Sequence, residues 1–206
     1  NQESLPTAGR GTITGVISKS YGGDDRVMML NTTDDVLFND ARCDPVFEES
    51  FNTATDNTNL NISNWINYAE LGSELWTEQV YGGNGYAEFT AYATSESSNI
   101  GWLISPGIDM DAQEGEVLNF QTEYAYPDAG HYPLEVFISS DFNGQESGIA
   151  TATWEPLSVV IAHPDVTNSW FSWVDSGSVD ISAYTGTLYV AFKYTGSDTS
   201  NQNSTI

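Results

Sequence analysis

"SNIGWLISPGIDM", Ser98–Met110, is the most apolar run in a chain of 206 residues that carries 29 acidic and 5 basic side chains. The run stops at Pro106-Gly107, and the chain turns acidic at Asp109 and Asp111. Pro106 withdraws the N–H that a further ladder rung needs, and Gly107 permits a reversal. A short Trp-containing strand is therefore held between polar turns, and the segments around it show the same habit. Leu118, Phe120, Thr122 and Tyr124 alternate with Asn119, Gln121 and Glu123. Leu134, Val136 and Ile138 alternate with Glu135, Phe137 and Ser139, and Leu188, Val190, Phe192 and Tyr194 with Tyr189, Ala191 and Lys193. Ala87, Phe89 and Ala91 make a further set. Side chains of a strand point to opposite faces in turn, so this period of two predicts half-buried strands. Sustained helical spacing is nearly absent. Turns are expected at Gly22–Asp25, Gly82–Gly85, Pro127–Gly130 and Asn143-Gly144, the last as a tight reversal after a strong strand. The pattern indicates an all-β sandwich or barrel.

Composition narrows the function. Aromatic residues make up 13% of the chain, which is incompatible with an acidic disordered tail. A net charge of −24 leaves no basic patch to neutralise phosphates, which excludes nucleic acid as a partner and disfavours an anionic membrane surface. No stretch approaches the roughly 20 apolar residues of a membrane span, so direct membrane insertion is not expected. The single cysteine, Cys43, rules out an intrachain disulfide. The main shift in composition falls near Asp44-Pro45. We expect residues 1–44 to form a short β unit, either part of a domain or a hairpin lying on the larger one, and residues 45–206 the main domain.

Several blocks in fixed order carry a family resemblance. "FEESFN" (Phe47–Asn52), "ELWTEQVYGGNGYAEFTAY" (Glu74–Tyr92), "WLISPGIDM" (Trp102–Met110), "LEVFISSDFNG" (Leu134–Gly144) and "SGSVDISAYTGTLYVAFKYTGSD" (Ser176–Asp198) together resemble the choice-of-anchor J, or cleaved-adhesin, domain family. The resemblance implies a jelly-roll β-sandwich of two antiparallel sheets, related in architecture to MAM domains. In it "WLISP" resembles a central strand buried on both faces, hence its nearly continuous apolar run. Residues 1–44 resemble the last part of an uncharacterised OB-like domain found in bacterial surface lipoproteins. The family pattern runs on past "NQNSTI", so the resemblance implies a fragment of a longer polypeptide that lacks its last strand. It also implies an extracellular or outer-membrane location on a Gram-negative bacterium, among glycan-degrading surface proteins.

The residues offer little for catalysis. His131 and His163 are the only imidazoles, and there is no Gly-x-Ser-x-Gly elbow, His-Glu-x-x-His or CxxC motif. Glycoside hydrolysis needs paired carboxylates across a cleft. Glu114 and Glu116 flank Gly115 and read as a solvated turn. Calcium is the best-supported metal, because it takes six to eight oxygen ligands and this chain is rich in them. The resemblance implies a structural Ca²⁺ with Glu49 as ligand, Glu48 being the alternative; Asp128 in the Pro127–Gly130 turn is a second candidate. Aromatic side chains offer the other chemistry, since Trp and Tyr present flat faces to the C–H surfaces of sugars. Trp65, Trp76, Trp102 and Trp154 fall in the family-like blocks and are assigned to packing. Trp170 and Trp173 differ by three positions, so strand alternation sends at least one outward. Trp170 is the first choice, with Tyr126, His131 and Tyr132 of "AYPDAGHYP" on the same rim. The expected function is a non-catalytic binding module for polysaccharide on a surface protein that serves an outer-membrane importer. The alternative is a calcium-stabilised adhesion or spacer module, and a glycoside hydrolase ranks below both.

Overall fold

The computed structural model describes residues 10–19, 26–29, 36–40 and 45–206. Cys43 and the Gly22–Asp25 turn lie outside them. The chain divides into two compact units, Asn1–Pro45 and Val46–Ile206. In the first, β1 (Arg10–Ile13) pairs antiparallel with β4 (Val36–Asp40), and β2 (Val16–Lys19) with β3 (Arg26–Met29). The OB-like reading rests on the sequence resemblance alone.

The second unit is a β-sandwich, and its described residues contain no α-helix. One layer is built around the longest strand, β17 (Thr187–Gly196). On one side β17 pairs with β9 (Asn99–Ile104), which pairs in turn with β6 (Ile66–Leu71). On the other side lies β13 (Leu134–Ser139), followed by the short β14 (Glu155–Pro156). The start of β17 also pairs with β10 (Ile108–Asp109), just beyond the Pro106-Gly107 stop.

The facing layer is assembled from shorter pieces. β5 (Thr58–Asn59) pairs with β7 (Thr77–Tyr81), and β7 with β8 (Asn84–Glu88). Gly82 and Gly83, φ 61° and 87°, form the two-residue loop between β7 and β8. Both loop residues need positive φ to match the right-handed twist of the strands, which only glycine supplies without cost. β11 (Val117–Leu118) pairs with β16 (Val179–Asp180), and β12 (Gln121–Thr122) with β15 (Val174–Asp175). Residues 204–206 join these halves. Ile206 and Phe89 exchange both backbone hydrogen bonds (2.9 and 3.1 Å), and Thr205 and Ala125 do the same (3.0 and 3.1 Å).

Side-chain alternation places the core. Trp76, Phe89, Leu103, Tyr124, Leu134 and Tyr194 fill one end of the space between layers. Ile108, Val136, Ile138, Leu188 and Val190 fill the other. A third cluster lies on the far face of the β17 layer, where Trp102, Ile104 and Ala191 meet Phe142 and Ile149. The β13–β14 connection covers that face. β9 is thus buried on both sides, which is why its sequence is apolar almost without interruption. The indole N–H of Trp102 still finds an acceptor, donating to Glu70 Oε2 at 2.7 Å, with Lys193 Nζ above the ring at 4.8 Å.

Asn143-Gly144 does not make the expected tight reversal. Gly144 has positive φ, but the chain continues through a 3-10 turn at Glu146–Gly148 before returning as β14. Burial of Phe142 and Ile149 against Trp102 outweighs the local preference of Asn-Gly for a two-residue loop. The Trp indoles assigned to packing are at least half-buried, and Trp76 and Trp102 are fully so.

At Gly101 in β9, the Phe89 ring edge occupies the space a Cβ would need. That ring is itself stacked on Tyr194 at 4.3 Å. Gly101→Ala should therefore overpack the core and cost about 1–3 kcal/mol, read as a lower urea midpoint at unchanged slope.

Candidate functional site

The outward-facing aromatics gather where the segment after β12 meets the segment before β15. Tyr126, Trp170 and Phe171 are 63%, 47% and 60% exposed, far more than bulky apolar side chains in the core. Tyr126 lies edge-on to Trp170 at 5.1 Å and to Phe171 at 6.0 Å. The rings form one contiguous patch rather than scattered surface residues. Its backbone is pinned from below. Phe171 N–H donates to Tyr124 O at 3.0 Å, and the buried Tyr124 hydroxyl donates to Thr167 O at 2.8 Å. The Ala125–Thr205 bonds fix the residue next to Tyr126. Tyr126 and Phe171 both sit in left-handed backbone conformation, φ 49° and 54°. For bulky side chains that region costs on the order of 1–3 kcal/mol, so the surrounding hydrogen bonds hold these rings where free chain would not put them.

The structure sorts the expected ligand residues. Trp170 and Tyr126 come together. His131 does not join them: it is 6% exposed, with Nδ1 against Ser204 Oγ at 2.9 Å and Nε2 against Thr195 O at 2.8 Å. Its neighbours in sequence are exposed, but its ring turns inward because the reversal at Asp128–His131 directs it toward β17. Tyr132 is exposed and makes a separate pair, stacked on His163 at 3.9 Å with its hydroxyl donating to Asp165 at 2.6 Å. Trp173 points outward as well as Trp170, because residues 170–171 form a turn, the strand begins only at Val174, and strand alternation does not apply.

Two features were not foreseen from sequence. Phe171 completes the aromatic patch; the signal was "SWFSW" itself, an aromatic-rich turn (Ser169–Trp173). The other is a group of acids near Trp173, whose ring lies edge-on to Tyr86 at 5.9 Å. Burial holds the Glu88 carboxyl above the usual carboxylate range, and the charges of Glu123 and Asp56 push the same way. Burial also raises Glu123. The Tyr86 hydroxyl is raised by burial and then by Glu88, Glu123 and Asp56.

The expected metal ligands have protein partners. Glu49 Oε1 accepts Phe51 N–H at 2.7 Å, and Asp128 Oδ2 accepts Asn203 N–H at 2.5 Å. Among the described residues no group of three or more His, Cys, Asp and Glu side chains is placed to hold a metal ion. Surface clefts occur elsewhere, beside Ile66 and Gly144. One is lined in part by Glu146, and the other by Trp65, Pro106 and Tyr189 with no carboxylate. No helix among the described residues is long and apolar enough to cross a membrane.

Residues 107–206 match the model of a family described as a domain of unknown function, DUF5017. No curated protein matches the chain. Among solved structures, the K1 cleaved adhesin domain of Lys-gingipain from Porphyromonas gingivalis W83 is similar at 17% identity, over 76% of this chain and 90% of that one, with a TM-score of 0.42. The K3 cleaved adhesin domain of the same protein is similar at 19% identity, over 70% and 87%, with a TM-score of 0.43.

A carboxyl whose folded pKa lies above its unfolded one costs stability when ionised. The cost is absent below the unfolded pKa and complete above the folded one. Glu88→Gln should therefore raise Tm at neutral pH, and the two proteins should converge as pH falls to about 4, near the ordinary glutamate value. Thermal melts across pH check this; a variant less stable at neutral pH would contradict it.

Proposed function

We propose that this chain is a non-catalytic glycan-binding module of a secreted or cell-surface bacterial protein, with the Tyr126–Trp170–Phe171 patch as its binding platform. One observation carries the reading: the exposed rings of Trp170 and Phe171 both meet the exposed ring of Tyr126 at the rim of a β-sandwich, where neighbouring hydrogen bonds hold the backbone of Tyr126 and Phe171 in a costly conformation. An exposed apolar patch is unfavourable in water unless something covers it, and sugars offer apolar C–H faces with polar edges. The net charge of −24 favours neutral or basic polysaccharides over anionic ones.

A single platform of this kind binds weakly, and useful retention comes from several modules or repeated ligand units acting together. That suits capture of a polymer at a bacterial surface for delivery to an outer-membrane importer. The sequence resemblance to cleaved-adhesin domains supports the same setting.

Affinity electrophoresis against soluble β-glucans, α-glucans and mannans tests the proposal. At least one polymer should retard the protein. Trp170→Ala and Tyr126→Ala should each weaken binding about fivefold, the equivalent of roughly 1 kcal/mol for one stacked ring. Retardation by none of the polymers, or retardation unchanged in both variants, would sink it.

A further inference from the structure

The two surface clefts, of about 410 and 450 Å³, share Ile66 and Gly144 and so adjoin, between the start of β6 and the turn after β13. Each volume lies in the range of about 300–1,000 Å³ usual for small-ligand sites. The side chains that shape them are already fixed. The Trp65 ring packs against Phe47 at 6.0 Å and Phe51 at 5.9 Å. Tyr189 of β17 is met edge-on by the buried Phe142 at 5.0 Å. Neither ring has to be ordered when a ligand arrives. Among the described residues the Tyr189 hydroxyl has no hydrogen-bond partner. Two glycines that line the cleft keep space around it. A Cβ at Gly144 would stand 2.9 Å from that oxygen, and one at Gly107 3.1 Å. The phenol is thus left with its capacity to donate and accept, and with room for a partner.

We propose that this groove is a second binding site, for a neutral sugar unit of an oligosaccharide, separate from the aromatic rim and independent of it. The chemistry of the lining makes the choice. Asn64 and Gln145 offer amides, and Tyr189 and Ser147 offer hydroxyls. These groups both donate and accept, as sugar hydroxyls do. Trp65 adds apolar ring surface for the C–H groups of a sugar. The polar groups are held by the turns that carry them. Asn64 sits at φ 65°, a conformation asparagine tolerates, and Trp65 N–H closes that turn on Ile62 O at 3.1 Å. Gln145 Nε2 donates to Gly144 O at 2.9 Å and its backbone N–H to Asn143 Oδ1 at 3.0 Å, which leaves the side-chain oxygen to accept from a ligand. No cation lines either cleft. The one Lys or Arg of residues 46–206, Lys193, is engaged by Glu70 at 3.6 Å and by the Trp102 ring. A carboxylated or sulfated ligand would therefore find no counter-charge and would meet Glu146.

NMR titration of the nitrogen-labelled full chain tests the site, with cellohexaose, maltohexaose and mannohexaose as neutral probes and trigalacturonate as the anionic one. At least one neutral probe should shift the amide signals of Gly107, Gly144 and Gln145 saturably, with a Kd of about 1 mM, the strength of an open site making a few hydrogen bonds. Trigalacturonate should not. Tyr189→Phe removes only an oxygen without a partner in the fold, so Tm should stay where it is while Kd rises about fivefold. Gln145→Ala, at an exposed position, should weaken binding similarly. Trp170→Ala should leave this response unchanged, so failure of the rim and failure of the groove are told apart by which amides move. Unmoved Gly107 and Gly144 signals with every neutral probe up to about 10 mM would overturn the proposal. A shift that neither Tyr189→Phe nor Gln145→Ala weakens would overturn it equally, by placing the ligand elsewhere. An equal response to trigalacturonate would overturn the neutral class.

Discussion

The sandwich depends on the side chain of Tyr194. It belongs to β17, the centre of one layer, yet its hydroxyl reaches the backbone of the other. There it donates to Ser204 O at 2.9 Å and accepts Ala91 N–H at 3.2 Å. The ring between is wholly buried, stacked on Phe89 and met edge-on by His131 at 6.1 Å. Burial lifts its hydroxyl far above the ordinary tyrosine range, so it stays neutral and keeps donating at any pH the protein meets. A tyrosine spans the gap between layers and satisfies polar groups that a purely apolar core would leave stranded. It also aligns three distant parts of the chain: the end of β8, the segment before Ile206, and β17 itself.

The aromatic rim follows from that alignment. Ala125 is placed by Thr205, which adjoins the Ser204 carbonyl held by Tyr194. Tyr126 comes next in sequence and is thereby set beside Trp170 and Phe171. Core and candidate site are continuous. The buried face of the 117–126 segment supplies Tyr124 to the interior, and its end supplies Tyr126 to the exterior. His131, which borders the same loop, serves the core by bonding Ser204 and Thr195.

Much of the fold was legible because strand alternation is local. The apolar run at Trp102–Ile104 and the alternating sets in β13 and β17 could be read residue by residue, and Pro106-Gly107 marked where β9 had to stop. The site was legible only in part. Trp170 and Tyr126 were separately recognisable as amphipathic rings near turns, but their contact is made by backbone pairing across more than forty residues. His131 was misplaced because adjacency in a loop does not say which way a ring turns. The turn at Asn143-Gly144 was misread for a related reason, since its local preference yields to the burial of Phe142 and Ile149. Glu88 and Glu123 acquire their shifted acidity from burial that only the folded chain creates.

The bonds of Thr205 and Ile206 bear on how such a chain is made. One layer has its halves joined by these two residues, whose partners Ala125 and Phe89 were synthesised long before. Loop closure over such separations is slow, and the pairing cannot begin while Ile206 is still inside the ribosome. Until then β8 and the 117–126 segment expose unpaired backbone edges and the apolar side chains of the core. For that interval such a chain is vulnerable to pairing with the sheet edge of another molecule.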